Sequence, residues 1–226
     1  MKRGKRKIRE CVYCGEVKAV AKEHVVPKCL FIKPYPPNLI SVPACDDCNN
    51  AKSLDDDFLR DFLVCDNFVS QSPVAQQIFQ QKMLSSQRKG SSLIAREAIL
   101  KGRLESLYTK GGIYIGDFHS FSVNEQRLNK IFETLVRGLY YDAHKKRFPD
   151  GYQIELTRHF PWEFKDVFTE LSKLHLNKRV LGNVFGCAFT TAQEDPFTTA
   201  WIFWFYERIM FSVFTSHPAY ENSSDL

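Results

Sequence analysis

Apolar and polar positions divide the chain into a short, loop-rich N-terminal part and a longer part with regular periodicity. In residues 11–45 the apolar positions form short runs, and Val25–Val26 and Leu39–Val42 are typical of brief strands. The turn-forming sequence Lys33-Pro34-Tyr35-Pro36-Pro37 separates them. Asp46 predicts a helix start, because acidic residues in the first turn complement the helix dipole. The positions expected on the buried face of this helix are Leu54, Phe58, Phe62 and Cys65.

Beyond residue 66 the pattern predicts longer elements. Helical periodicity marks residues 73–88, 91–108, 124–145 and 162–175. Strand-like runs mark residues 112–121, 152–159, 184–191, 198–206 and 209–215. This arrangement predicts an α+β fold. We expect a flexible basic arm at residues 1–10, an N-terminal domain at 11–66, and a helical and antiparallel-sheet domain of unassigned role at 67–226.

Composition narrows the class of protein. Of the 226 residues, 44% are hydrophobic and 25% are charged, which is typical of a soluble globular protein. No apolar run is long enough to span a membrane, and the basic N-terminus lacks the apolar stretch of a signal peptide. We therefore expect a cytoplasmic protein. Seven cysteines in such a compartment favour metal binding over disulfides.

The net charge of +5 is concentrated at the N-terminus. Residues 1–10 contain six of the 31 basic residues and one of the 26 acidic residues, so the remaining 216 residues carry 25 of each and are neutral. A neutral body with a basic arm is consistent with contact to nucleic-acid phosphates. A solvated terminus that only aids solubility explains the same charge equally well.

Two Cys-x-x-Cys pairs frame the N-terminal region. Cys11 and Cys14 form the first pair, and Cys45 and Cys48 form the second after a gap of 30 residues. Four thiolates can close a tetrahedral zinc shell, and the two-residue spacing lets one turn direct two sulfurs at the same ion. Such a closed site has no open position for substrate, so we expect structural zinc that stabilises a segment too small for its own core.

The residues between and after these pairs carry a recognisable pattern. It consists of Glu23-His24-Val25-Val26-Pro27, then Asn38-Leu39-Ile40, then Cys45-x-x-Cys48-Asn49-Asn50-Ala51-Lys52. This pattern resembles the HNH endonuclease family, over residues 11–52. The resemblance implies a zinc-stapled ββα-metal motif and hydrolysis of DNA phosphodiester bonds, with RNA also compatible as a substrate.

The resemblance also implies roles for individual residues. His24 would be the general base that activates water, and imidazole suits this role because its pKa lies near the working pH. Glu23 and Asn49 would bind a catalytic Mg²⁺ or Mn²⁺ ion through oxygen ligands. Asn38 would orient His24 or its loop. The sequence departs from the family at Glu23, where the acid is more often Asp.

Other interpretations remain open on the sequence. His24 could be a buried histidine or a zinc ligand, and the chain could be a non-catalytic zinc module with a decayed HNH fold that binds nucleic acid or protein. Residues 67–226 could bind a partner protein or a second copy of the chain. We expect Asp55, Asp56 and Asp57 to form a solvated helix face, and the aromatic run Trp201–Tyr206 to lie in a buried strand.

Overall fold

The computed structural model describes residues 8–19, 21–88, 102–109, 111–120, 123–171 and 173–218. The N-terminal part begins with a turn-rich segment closed by a backbone bridge between Arg9 and Ala19. It continues as strand β1 (Ala21–His24), strand β2 (Ser41–Ala44) and helix α1 (Asp46–Val64). Strands β1 and β2 are antiparallel, so His24 lies opposite Ser41. The predicted arm falls mostly on residues 1–7, which lie outside the described residues.

Both short strands lie a few residues from their predicted positions. Strand β1 ends at His24, immediately before the apolar pair Val25–Val26. Both valines are fully buried, and the N–H of Val25 donates to the carbonyl of Ile40 at 3.0 Å. The apolar run therefore marks where the chain enters the core, whereas β1 itself is a partly exposed strand.

Helix α1 begins at the residue that the sequence predicts. Cys45 has an extended backbone, and its sulfur accepts a hydrogen bond from the N–H of Cys48, which caps the helix. Phe58 and Phe62 are buried as expected, but Leu54 is 64% exposed. The prediction for Leu54 is wrong because the buried face turns towards Leu59 and Leu63.

The segment after α1 contains helices and a hairpin. Residues 73–88 are helical as predicted, in the order α2 (Pro73–Ile78), a π-helix (Phe79–Met83) and α3 (Leu84–Arg88). The prediction of a helix at 91–108 is wrong for its last residues. Arg103–Tyr108 form strand β3, which pairs with strand β4 (Tyr114–Ser120). The glycines Gly111 and Gly112 favour this hairpin, and Gly112 has a φ of +82°. Residues 91–101 lie outside the described part.

The remaining chain forms one long helix, a short helix and a five-stranded antiparallel sheet. The helices are α4 (Glu125–His144) and α5 (Phe164–Leu171). The strands are β5 (Gln153–His159), β6 (Asn177–Leu181), β7 (Phe185–Thr191), β8 (Thr199–Phe205) and β9 (Ile209–Ser216). Their order is β5-β9-β8-β7-β6. The sequence did not predict β6 because this edge strand is polar and largely exposed.

One hydrophobic cluster runs through both parts of the chain. It includes Val25 and Phe58 from the N-terminal part, Phe132 from α4 and Phe203 from the sheet. The aromatic run of β8 is buried as predicted, except that Trp204 is half-buried. The mixture of helices and antiparallel sheets agrees with the α+β class. Within the described part of the chain, none of the helices combines the length and apolar character needed to cross a membrane.

Candidate metal centre and active site

The two cysteine pairs meet beside the N-terminus of α1. The sulfur atoms of Cys11, Cys14, Cys45 and Cys48 all lie within 4.8 Å of one another. Around a tetrahedral zinc ion with Zn–S bonds of about 2.3 Å, neighbouring sulfurs are about 3.8 Å apart. The sulfurs of Cys14 and Cys45 are 3.8 Å apart. The donor set and its spacing therefore fit a metal ion such as zinc, held by the four cysteines that the sequence identified.

The backbone around the cluster favours thiolates. The N–H of Cys45 donates to the sulfur of Cys11 at 3.4 Å, and the N–H of Cys48 donates to the sulfur of Cys45 at 3.5 Å. Burial opposes ionisation of Cys11, but backbone N–H donors lower the pKa of its thiol to about 7. Burial and the adjacent sulfurs raise the pKa of Cys48. Four sulfurs this close can all ionise only around a cation, which a metal ion would supply.

His24 lies at the end of β1 with one ring nitrogen enclosed. Its side chain is partly buried, and among the described residues no group hydrogen-bonds to Nδ1. Burial lowers the pKa of His24. The positive charges of Lys28 and Lys52 lower this pKa further, and the negative charge of Glu23 opposes the shift. The neutral imidazole is therefore favoured near pH 7, and a neutral ring has a lone pair that can accept a proton.

Glu23, the predicted metal ligand, faces a lysine of α1. The Nζ atom of Lys52 lies 3.2 Å from a carboxylate oxygen of Glu23 and 2.6 Å from a carboxylate oxygen of Asp56. The side chain of Lys52 is 6% exposed, and those of Glu23 and Asp56 are 14% and 21% exposed. Two partly buried carboxylates thus share one ammonium group. Counted as ionised groups, the cluster carries a net negative charge that can attract a further cation.

Two groups at this cluster have raised pKa values. Burial raises the pKa of Asp56 to about 7 despite its contact with Lys52. The buried hydroxyl of Tyr13 has no hydrogen-bond partner in the described part of the chain, and burial, Glu23 and Asp56 raise its pKa. The Tyr13 hydroxyl is therefore a potential donor close to both carboxylates.

The two asparagines of the motif are placed differently. Asn49, Lys52 and Asp56 share one face of α1, at spacings of three and four residues. Asn49 therefore belongs to the same side of the helix as the lysine that contacts Glu23, and it is half-buried. Asn38 is exposed, and its amide nitrogen donates to the carbonyl of Val180 at 3.4 Å. That hydrogen bond ties its loop to β6, and Nδ1 of His24 receives none from it.

A cleft of about 350 Å³ opens between α1 and α4 beside this cluster. Lys52 and Tyr13 form part of its wall, and Lys130 and Arg137 of α4 line the opposite side. Arg137 is paired with Glu133 at 2.7 Å, whereas Lys130 has no ion-pair partner among the described residues. The cleft therefore connects the candidate site to a lysine that is free to bind an anion.

The sequence did not identify Lys52, Asp56 and Tyr13 as parts of the candidate site. Lys52 belongs to the motif but its ion-pair partners depend on the packing of β1 against α1. The expectation of a solvated face is wrong for Asp55, which pairs with Arg127 at 2.8 Å, and for Asp56, which pairs with Lys52, whereas the Asp57 side chain is 50% exposed. The signal in the sequence was the four-residue spacing of Lys52 and Asp56.

The loop that follows His24 is held from two sides. The ammonium of Lys82 contacts the carbonyl oxygens of Cys29 at 3.1 Å and Phe31 at 2.7 Å. The hydroxyl of Tyr206 donates to the carbonyl of Leu30 at 3.0 Å. These contacts satisfy the carbonyls of the short 3₁₀ helix Lys28–Leu30, so residues beyond 66 fix the loop next to the candidate base.

No protein-family model, curated protein or solved structure matches this chain. The resemblance to the HNH endonucleases therefore depends on the sequence motif in residues 11–52 alone.

Proposed function

We propose that the protein is a metal-dependent HNH-type endonuclease that hydrolyses DNA phosphodiester bonds. The observation that supports this most is the contact of Glu23, the residue before His24 on β1, with Lys52, which shares one face of α1 with Asn49. Glu23 and Lys52 lie on different elements, and their contact joins β1 to the helix whose first turn carries Cys48 of the four-cysteine cluster.

In this proposal each side chain has a distinct task. His24 accepts a proton from water as the new P–O bond forms and an ester P–O bond breaks. Glu23 and Asn49 would hold a Mg²⁺ or Mn²⁺ ion, which stabilises negative charge on the phosphate when bound. The four cysteines would hold zinc, which keeps the N-terminus of α1 in position. Residues 67–226 supply the α4 wall of the cleft and the contacts to the His24 loop.

A nicking assay on supercoiled plasmid tests the proposal. We expect purified protein to nick DNA with Mg²⁺ or Mn²⁺ and to be inactive in EDTA. His24→Ala should lower the rate by about 10²–10⁴-fold, because removing a general base removes a transition-state interaction. Zinc content and DNA binding should stay near those of the wild type. Glu23→Ala should recover part of its activity at high Mg²⁺ or Mn²⁺, because it weakens ion binding and leaves the base intact.

The alternative is a zinc-containing module that binds nucleic acid or protein without cleavage. The ion pair between Lys52 and Glu23 supports this alternative, since it gives Glu23 a partner without a divalent ion. Loss of zinc and of folding in His24→Ala would identify His24 as a structural residue and would support this second function. DNA binding without nicking under every metal condition would do the same.

A further inference from the structure

We propose that Lys52 is the resident counter-ion of the candidate divalent-ion site and a second cation for the scissile phosphate. Asp56 is inferred to be the positioning residue that retains Lys52 when a divalent ion binds Glu23. This inference rests on the proposed function, since it assigns to Glu23 a role in ion binding. It goes further by assigning tasks to two residues of α1.

The two contacts of the ammonium group are unequal. The Nζ atom of Lys52 lies 2.6 Å from Oδ1 of Asp56, which is the distance of a strong charge-assisted hydrogen bond. The same Nζ atom lies 3.2 Å from Oε1 of Glu23. Lys52 and Asp56 are also on adjacent turns of the same helix, so their contact does not depend on the position of β1. Glu23 can therefore exchange its partner while Asp56 keeps the lysine in place.

A divalent ion at Glu23 would lie close to the ammonium group. Two cations at such a distance in a partly buried site repel each other strongly, so Lys52 and the ion compete for Glu23. Lys52 lines the cleft, and moving its ammonium group towards the cleft would relieve the repulsion while Asp56 limits how far it can go. There it would meet a negatively charged phosphate, which two cations stabilise better than one.

This arrangement makes an unusual prediction about metal affinity. We would measure Mn²⁺ binding by electron paramagnetic resonance on zinc-loaded full-length protein in the His24→Ala background. Lys52→Met should bind Mn²⁺ about tenfold more tightly or better, because it removes the competing charge. Asp56→Asn should bind Mn²⁺ several-fold more weakly, because Lys52 is then left with Glu23 alone. Lys52→Arg, which keeps the charge, should stay close to the parent.

Two matched controls distinguish competition for Glu23 from the general electrostatic effect of removing one charge near the site. Lys130→Met removes the same charge from the same cleft without contacting Glu23, and Asp57→Asn removes a carboxylate from the residue after Asp56. Both should change Mn²⁺ affinity much less than their counterparts. Unchanged or weaker binding by Lys52→Met, with zinc retained, would overturn the proposal. If Lys52→Met loses zinc and fails to fold, the comparison of Asp56→Asn with Asp57→Asn decides: only Asp56→Asn should weaken Mn²⁺ binding several-fold, and equal affinities in the two variants would overturn the proposal.

The activity of variants with His24 intact gives the second readout. Lys52→Met should lower kcat on the order of 10²-fold while binding Mn²⁺ more tightly, and Lys52→Arg should recover part of the rate. Full activity in Lys52→Met would remove the lysine from the chemistry. The failure of the proposed function looks different: wild-type protein would not nick DNA under any condition. The Mn²⁺ measurements would still report whether Lys52 and a divalent ion compete for Glu23.

Discussion

The position of His24 depends on a close approach between its neighbour and helix α4. Val25 is fully buried, and its side chain packs over Gly138 in the middle of α4. A Cβ atom at Gly138 would lie 2.6 Å and 2.7 Å from the two methyl carbons of Val25. Because both groups are in the core, neither can move away freely. Packing therefore requires a glycine at position 138. The residue that packs against it, Val25, directly follows the candidate base His24.

Gly138→Ala should destabilise the protein despite the better helix propensity of alanine. Overpacking costs about 1–3 kcal/mol, and the gain in propensity is about 1 kcal/mol. Contacts of 2.6 Å and 2.7 Å place the cost at the upper end of that range, so we expect a net decrease of up to about 2 kcal/mol in the free energy of unfolding, measured by urea denaturation. The double variant Val25→Ala/Gly138→Ala should be destabilised by less than the sum of the single variants, because the smaller side chain relieves the clash. Strict additivity would contradict the contact.

Sequence patterns predict the metal-binding cysteines more readily than they predict the side-chain contacts of the candidate active site. The four cysteines could be predicted because their two-residue spacing has a direct geometric meaning, and they do lie together. The ion pair of Lys52 with Glu23 could not, because it depends on how β1 packs against α1. The same limit explains Asn38, whose motif position indicated a role near His24 but whose amide bonds to Val180.

At the scale of elements, α1 joins the cysteine cluster to the candidate active site. Its cap residue Cys45 and its first-turn residue Cys48 belong to the cluster, and Asn49 and Lys52 follow within two turns. A metal ion held by the cysteines would therefore fix the start of the helix, and with it the side chains that face Glu23. Removal of the metal should affect the candidate site through this helix.

Cys48→Ser should remove tightly bound zinc and reduce the folding of the N-terminal part. Structural zinc contributes directly to the folding free energy, so a missing thiolate weakens both binding and folding. We expect about one zinc per chain in the wild type by elemental analysis after dialysis, and much less in the variant. Cys65→Ser is the matched control, because Cys65 lies outside the cluster and its sulfur contacts Met83. A metal-free wild type that is fully folded would exclude the zinc staple.

Elements with strong periodicity were predicted well, and elements with weak periodicity were not. Helix α4 was expected at residues 124–145 and occupies Glu125–His144. Strand β6 was missed because four of its five residues are exposed and its sequence is polar. Strand β3 falls where the pattern predicts the end of a helix, and its side chains Leu104 and Tyr108 are exposed in the hairpin with β4. Pairing with a neighbouring strand decides the structure of both segments, and an exposed strand leaves little apolar pattern in the sequence.

At the scale of the whole molecule, the net charge is concentrated at the N-terminus, whereas the hydrophobic core extends through both parts of the chain. The net charge comes from residues 1–10, whereas the rest of the chain is neutral. Deleting residues 2–7 should weaken DNA binding and reduce its salt dependence, by roughly 0.9 in the log–log slope for each phosphate that the arm neutralises. Arg9 is retained because its backbone pairs with Ala19. The measurement is DNA affinity across a salt series, and an unchanged slope would show that the arm does not bind phosphate.

The hydrophobic core is shared across the boundary at residue 66. Val25, Leu30 and Phe58 of the N-terminal part are at most 1% exposed, and they belong to the same cluster as α4 and the five-stranded sheet. Asp66 also pairs with Arg158 of β5. The division into a nuclease motif and a second domain is thus a hypothesis about function, while the packing joins the two parts.

A fragment of residues 1–72 should therefore fail to fold cooperatively, even with zinc. It keeps the four cysteines and α1 but lacks α4 and the sheet, so the apolar side chains of the shared core would face water. Zinc can order the cysteine cluster, but the fragment cannot bury enough apolar surface to hold the rest of α1. Zinc titrations followed by circular dichroism and amide NMR dispersion would test this, with the full-length chain as the control. A zinc-bound fragment with native-like dispersion and a cooperative thermal transition would contradict it, and would show that residues 11–66 form an independent domain.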